Sequence, residues 1–167
     1  MQTEIITPRL TLRRARPGDL DALHALASDW EVVKQTATWP WPPDRAFTAT
    51  RSTPIPPEDG MGGPVFSGDA LVGMIGVAMK EGKTELGYMF AQPYWGRGYA
   101  TEIGRALIAH AWATYDWPAI EACVFDDNRG SARVLEKLGF TETGPCTGAC
   151  AARGAVLPTR TFRLPRP

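Results

Sequence analysis

Polar and apolar residues alternate along Arg9-Leu10-Thr11-Leu12-Arg13, the period-two pattern of a strand with one buried face. Pro17-Gly18-Asp19 breaks that pattern and supplies a capping side chain, after which Leu20, Leu23, Leu26 and Ala27 recur at helical spacing. Leu71 to Met79 is dense in valine, isoleucine and methionine. Glu81-Gly82-Lys83 then offers a turn and Glu85 to Phe90 a second strand, so the pair predicts an antiparallel hairpin. Ile103, Leu107 and Ala111 share one helical face and precede an apolar strand from Ala119 to Phe125, within which Cys123 reads as buried. Asp126-Asp127-Asn128 ends that strand with capping side chains, Val134, Leu135 and Leu138 mark another helix, and Gly139 stops it. Alternation returns in Thr159-Arg160-Thr161-Phe162-Arg163-Leu164, a last strand that closes the sheet; the glycine-containing stretch before it has no readable period.

Between Trp39 and Pro64 stand Pro40, Pro42, Pro43, Pro54, Pro56, Pro57 and Pro64, a density that excludes a long helix or a central strand. This predicts a loop-rich crossover with a short helix around Phe47. Trp39 and Trp41 either pin that loop to the core or line a pocket for an acceptor.

A chain of 167 residues suits one domain, spanning 1–167. Lysine plus arginine equal aspartate plus glutamate at 18 each, so no electrostatic footprint points to nucleic acid or an anionic membrane surface. Cys123, Cys146 and Cys150 are odd in number and lack CxxC spacing, which suits reduced thiols and implies no metal. No apolar run approaches a membrane span and the first residues lack a signal pattern, so the expectation is a soluble, cytoplasmic protein.

Candidate chemistry concentrates in Tyr94-Trp95-Gly96-Arg97-Gly98-Tyr99-Ala100-Thr101-Glu102, where a strand gives way to a helix. Glycines there remove side chains where backbone must approach a ligand, and the first turn of a helix presents unpaired N–H groups with positive partial charge. Together these make an anion site, to which Arg97 and Arg105 add charge-assisted contacts. The third glycine of a dinucleotide fingerprint and the GK[ST] of a P-loop are absent, which argues against nicotinamide and ATP chemistry.

The loop resembles the cofactor motif of the GCN5-related N-acetyltransferase (GNAT) family: Gln or Arg, two residues, Gly, one residue, then Gly or Ala, with Gly98 and Ala100 on the last two fixed positions. Trp95 departs from the first. With Gly-Tyr-Ala-Thr-Glu nearby, it is similar to the branch that acetylates ribosomal-protein N-termini. Asn128-Arg129-Gly130-Ser131-Ala132-Arg133-Val134-Leu135-Glu136-Lys137-Leu138-Gly139-Phe140 resembles the family's later cofactor helix ending in Gly-Phe. The resemblance implies an α/β (α+β) single-domain GNAT-like fold, a mixed, mostly antiparallel sheet of about six to seven strands flanked by about four helices.

It also implies acetyl-CoA as donor and an amine acceptor. Trp95, Gly96, Arg97, Gly98, Tyr99, Ala100 and Thr101 would hold the pyrophosphate, the backbone of Met89 and Phe90 the pantetheine arm, and Asn128, otherwise a helix cap, the same arm. Glu85 would be the base that takes the amine proton through water; an exposed strand-edge glutamate is the plain alternative. Family members often carry a tyrosine where Leu135 stands, and leucine donates no proton. Ser131 resembles the serine that the ribosomal-protein branch offers near the sulfur, with solvent or Tyr88 as the replacement donor. Cys150 lacks a partner that would activate it as a nucleophile.

Two acceptors remain open, a protein N-terminal α-amine and a small-molecule amine. A noncatalytic acyl-CoA sensor is the reading from a different class. The expected assembly is a monomer or a homodimer paired through a terminal strand.

Overall fold

The computed structural model describes residues 4–167. Eight strands form one sheet in the order β1-β2-β3-β4-β5-β6-β8-β7. They are β1 (Glu4–Ile6), β2 (Thr11–Arg13), β3 (Gly60–Ser67), β4 (Ala70–Lys80), β5 (Lys83–Phe90), β6 (Ala119–Phe125), β7 (Thr141–Cys150) and β8 (Ala155–Pro165). The helices are α1 (Leu20–Leu26), α2 (Trp30–Val33), α3 (Arg45–Arg51), α4 (Tyr99–Thr114) and α5 (Arg129–Lys137). Every pairing is antiparallel except β5 with β6, and α4 is the crossover that this parallel pair requires.

The β4–β5 hairpin closes through Glu81 and Gly82, both at positive φ (51° and 78°), the signature of a two-residue turn that matches strand twist. Leu86, Tyr88 and Phe90 of β5 face α4 and α5, where Ile103, Leu107, Ala111, Ala132 and Leu135 complete the larger core. Ile103 and Leu107 are fully buried, each side chain contributing roughly 1.5–3 kcal/mol of transfer free energy. Gly104 permits the close approach of α4 to α5, since a Cβ there would stand 3.0 Å from Leu138. On the opposite face, Met74 and Met89 pack with Leu26, Val32, Val33 and Trp39 from α1, α2 and the following loop.

Several sequence expectations need correction. Among the described residues the sheet has eight strands, one more than the upper expectation, because β1 adds to the edge and the unreadable tail forms the long β7–β8 hairpin. Among the described residues there are five α-helices, the addition being the single turn α2, too short to show a period. The proline-rich segment holds a strand after all: β3 contains Pro64, tolerated because the β2 ladder reaches only Val65 and Phe66 and leaves Pro64 unpaired on that side. Cys123 is exposed, not buried, because Ala122 and Val124 take the core-facing positions and alternation turns Cys123 to the other face. Asp19 does not cap α1; its carboxylate accepts from Arg13 and from the Arg16 amide. Trp39 pins the loop, buried edge-to-face against Phe47, whereas Trp41 is partly exposed beside Trp30.

Candidate active site

Among the described residues, the β5–β6 ladder is the single parallel pair Glu85–Glu121. Among the described residues no register pair joins β5 to β6 beyond it, so the edge of β5 from Gly87 to Phe90 has no ladder partner there. The Ala91 amide donates to the Val72 carbonyl of β4 at 2.9 Å. Successive strand residues present their amide and carbonyl groups to opposite edges, so those of Phe90 face the split and those of Met89 face β4. An extended ligand arm laid along this edge would meet the Phe90 N–H, the Phe90 carbonyl being taken by the Trp95 indole.

At the end of β5 a short 3-10 turn, Gln92–Tyr94, leads into the glycine loop. Gly96 and Gly98 hold φ of 74° and 77°, the left-handed region where a side chain is strained, and a Cβ on Gly96 would meet open space. Gly98 caps α4 with no side chain of its own. The α4 amides that precede the first intrahelical bond, Glu102 to the Gly98 carbonyl at 3.0 Å, therefore point outward and suit an anion. The Trp95 indole donates to the Phe90 carbonyl at 2.6 Å while its ring stays half exposed.

A clamp from the connection between β1 and β2 supports this loop. Arg9 donates to Glu102 at 2.6 Å through Nε and to the Arg97 carbonyl at 2.9 Å through Nη1, and its guanidinium lies over the Tyr99 ring. Thr7 Oγ1 donates to Glu102 Oε1 at 2.7 Å. Burial pushes the Glu102 carboxyl up, but the hydrogen bonds from Thr7 and Arg9 and the Arg9 charge outweigh it and hold the group below its ordinary value. Beside the clamp an open depression of about 730 Å³ runs from Gly98 and Thr101 to Arg105 and Lys137. Among the described residues neither cation has a carboxylate partner there.

Glu85 is exposed, on the face that carries Glu121 and Cys123. Gly87 follows on the same face, and a Cβ there would meet nothing within 4 Å, so bare backbone separates Glu85 from buried Met89. Ser131 belongs to the opposite side, in the first turn of α5. Asn128 caps that helix, its Oδ1 accepting from the Ser131 amide at 3.2 Å. Tyr88 spans the split, its hydroxyl 2.7 Å from Ser131 Oγ. Leu135 is wholly buried in the core and offers no polar atom to the split.

The fold thus brings Phe90, Trp95 and the loop from Gly96 to Thr101 together, and sets Asn128 and Ser131 across the split from Tyr88. Glu85 lies at its closed end, and Met89 contributes its side chain rather than open backbone. Sequence reasoning missed the Thr7–Arg9–Glu102 clamp and the role of Arg153. Arg153 donates to Asp127 at 2.6 Å and to the Lys34 carbonyl at 2.7 Å, tying the tip of the β7–β8 hairpin to the turn before Asn128. An acidic residue in the first helical turn was the one visible signal for Glu102; the others span more than ninety residues of chain.

Comparison with known proteins bears on this geometry. The family model described as Acetyltransferase (GNAT) domain matches residues 9–141. The N-acetyltransferase p20 of Bacillus licheniformis is 28% identical over 168 residues, covering 96% of this chain and 94% of the relative. A GNAT acetyltransferase structure from Bacillus anthracis superposes with a TM-score of 0.82 at 23% identity, covering 98% of each chain. RimL, the ribosomal L7/L12 α-N-protein acetyltransferase, in complex with coenzyme A, superposes at 0.81 with 19% identity over 97% of each chain.

Proposed function

Since the chain belongs to the GNAT acetyltransferase family and is an acyltransferase enzyme, we propose that it moves the acetyl group of acetyl-CoA directly to a primary amine, a protein N-terminal α-amine being the favoured acceptor. The observation that carries this is the open edge of β5 running into a helix start with two left-handed glycines. One feature suits the extended pantetheine arm and the other the pyrophosphate, and they are joined by the Trp95–Phe90 hydrogen bond. The preference for a protein terminus rests on the Trp95-containing loop, which resembles the ribosomal-protein branch.

Each residue then has a task. The amides at the start of α4 bind phosphate oxygens, with Arg97 and Arg105 adding charge. The Phe90 N–H, facing the split, polarises the thioester carbonyl and stabilises the oxyanion that develops on it. Glu85 takes the proton of the attacking amine through water from the face opposite α5. Ser131 donates to the departing sulfur from the α5 side. Donor and acceptor meet through the split from opposite faces of the sheet, so much of the rate comes from holding them together.

The test is acetyl-CoA with a panel of peptide N-termini and small amines, read by thiol release and by the mass of the product. Acceptor-dependent acetylation of peptide α-amines is expected. Acetylation confined to small amines would transfer the assignment to that class, and binding without any acceptor-dependent thiol release would replace transfer by sensing.

A further inference from the structure

Glu102 stands in the first turn of α4, beside the amides at the start of that helix. A carboxylate there is drawn to the positive end of the helix dipole, so it competes with an anion bound at the same end and repels it. In this chain the carboxylate is engaged elsewhere. Its Oε1 accepts from Thr7 Oγ1 at 2.7 Å and from the Arg9 amide at 3.0 Å, and its Oε2 accepts from Arg9 Nε at 2.6 Å. All three donors come from the connection between β1 and β2, and they hold the carboxyl below its ordinary value, so it carries its charge at neutral pH.

Arg9 also takes an electronegative group of the loop itself. Its Nη1 donates at 2.9 Å to the Arg97 carbonyl, which lies between the two left-handed glycines. The guanidinium sits over the Tyr99 ring, 4.8 Å from its centroid, and Tyr99 stacks on Tyr94. The fit is close at Gly98, where a Cβ would stand 3.5 Å from Arg9 Nη2. One side chain, 93 residues away in the chain, thus occupies both a carboxylate and a carbonyl. The N–H groups of Tyr99, Ala100 and Thr101 precede the first intrahelical bond and are left to meet an anion.

Building on the transfer reading above, we propose that Arg9 is a positioning residue for the acyl donor: by holding the Glu102 carboxylate and the Arg97 carbonyl, it leaves the start of α4 as an uncontested site for the pyrophosphate. Arg9 acts through Glu102 and the loop and does not touch the phosphates. Neutralising Glu102 is the larger part of its effect, because a full charge acts over a longer range than a peptide dipole. Glu102 in turn ties the start of α4 to the β1–β2 connection, and its charge weakens phosphate binding only when Arg9 leaves it bare.

The experiment is a double-mutant cycle on the full chain, with coenzyme A binding read by calorimetry. Arg9→Met, which keeps the aliphatic stem, is expected to weaken binding about tenfold. Adding Glu102→Gln removes the bare charge and should restore about threefold or more of that loss. With acetyl-CoA and an amine, the Arg9→Met loss should fall on KM with kcat held. With acetyl-pantetheine, which lacks the pyrophosphate, kcat/KM should change less than about twofold, whereas a merely misfolded loop would fail with both donors. If Arg9→Met does not fold, Arg9→Lys reports instead: one ammonium cannot reach both acceptors, so about a threefold loss for coenzyme A alone is expected. Full affinity in the Arg9 variants, or equal losses with both donors, overturns the proposal. No recovery on adding Glu102→Gln overturns it too, by making Arg9 a direct phosphate ligand. Binding is read whether or not an amine is acetylated, so a chain that binds coenzyme A and transfers nothing fails the transfer reading alone. A wild-type chain that does not bind coenzyme A overturns both.

Discussion

The indole of Trp95 donates a 2.6 Å hydrogen bond to the carbonyl of Phe90, five residues earlier in the chain. That carbonyl faces the split between β5 and β6, where a negative oxyanion develops in the proposed reaction. With the carbonyl occupied, the Phe90 N–H is the group of that peptide edge left to meet the oxyanion. The departure from the usual Gln or Arg at position 95 thus has a structural use: it ties the glycine loop to the end of β5.

Trp95→Phe removes the N–H and keeps most of the ring. We expect kcat to fall about tenfold, as for a lost hydrogen bond beside developing charge, while the melting midpoint moves little because the ring is 50% exposed. Steady-state kinetics with a thermal melt checks this. A large loss of melting midpoint with normal kcat would assign Trp95 to stability instead.

Glu85→Gln should lower kcat on the order of a hundredfold, the usual lower range for loss of a general base, without changing acetyl-CoA affinity measured by calorimetry. Glu121→Gln should have the smaller effect, because Glu121 is only partly exposed at the closed end of the split. Equal losses from the two variants would make the pair, rather than Glu85, the proton acceptor.

Gly87→Val tests the acceptor route. A side chain there meets no protein atom, and valine suits a strand better than glycine, so the melting midpoint should hold or rise. The added bulk occupies the space between Glu85 and Met89, so KM for the amine should increase severalfold with acetyl-CoA affinity unchanged. Unaltered amine kinetics would move the acceptor elsewhere.

Acid should destabilise the protein through Asp19. Burial pushes this carboxyl up, but hydrogen bonds from Arg13 and the Arg16 amide, with the nearby positive charges, outweigh burial and hold it below the usual carboxylate range. A carboxyl with a depressed folded value contributes its stability in full above the ordinary value, and loses it as pH falls through the depressed one. The wild-type melting midpoint should therefore decline more steeply with acidification than that of Asp19→Asn. At neutral pH the variant should be less stable by about 1–3 kcal/mol, because it leaves Arg13 without its charged partner. Parallel melting curves from neutral to acid pH for the two proteins would refute this.

Local pattern was sufficient for the elements whose period is uninterrupted. The β4–β5 hairpin, α4 and β6 follow from alternation or helical spacing, and the loop glycines announce their left-handed backbone because few other residues accept it. Pattern failed at Pro64, because whether a strand tolerates proline depends on which edge is paired, a property of its neighbour β2. It failed at Cys123, where burial depends on which face of β6 the helices cover. It failed also in the tail, where β7 is mostly exposed and so carries little apolar alternation.

What the amino-acid sequence by itself determined is the glycine loop that opens α4, the capped α5 with Ser131 in its first turn, and through them the family to which the chain belongs. These rest on neighbours in the chain, whose backbone geometry is dictated locally. Only the tertiary structure decided that β5 and β6 part after Glu85, that Tyr88 crosses the split to Ser131, and that Arg9 and Glu102, 93 residues apart, brace the loop. Those relationships depend on strand register and on hydrogen bonds between distant segments. No local period encodes them, because they form only when the sheet and the helices pack around a common core.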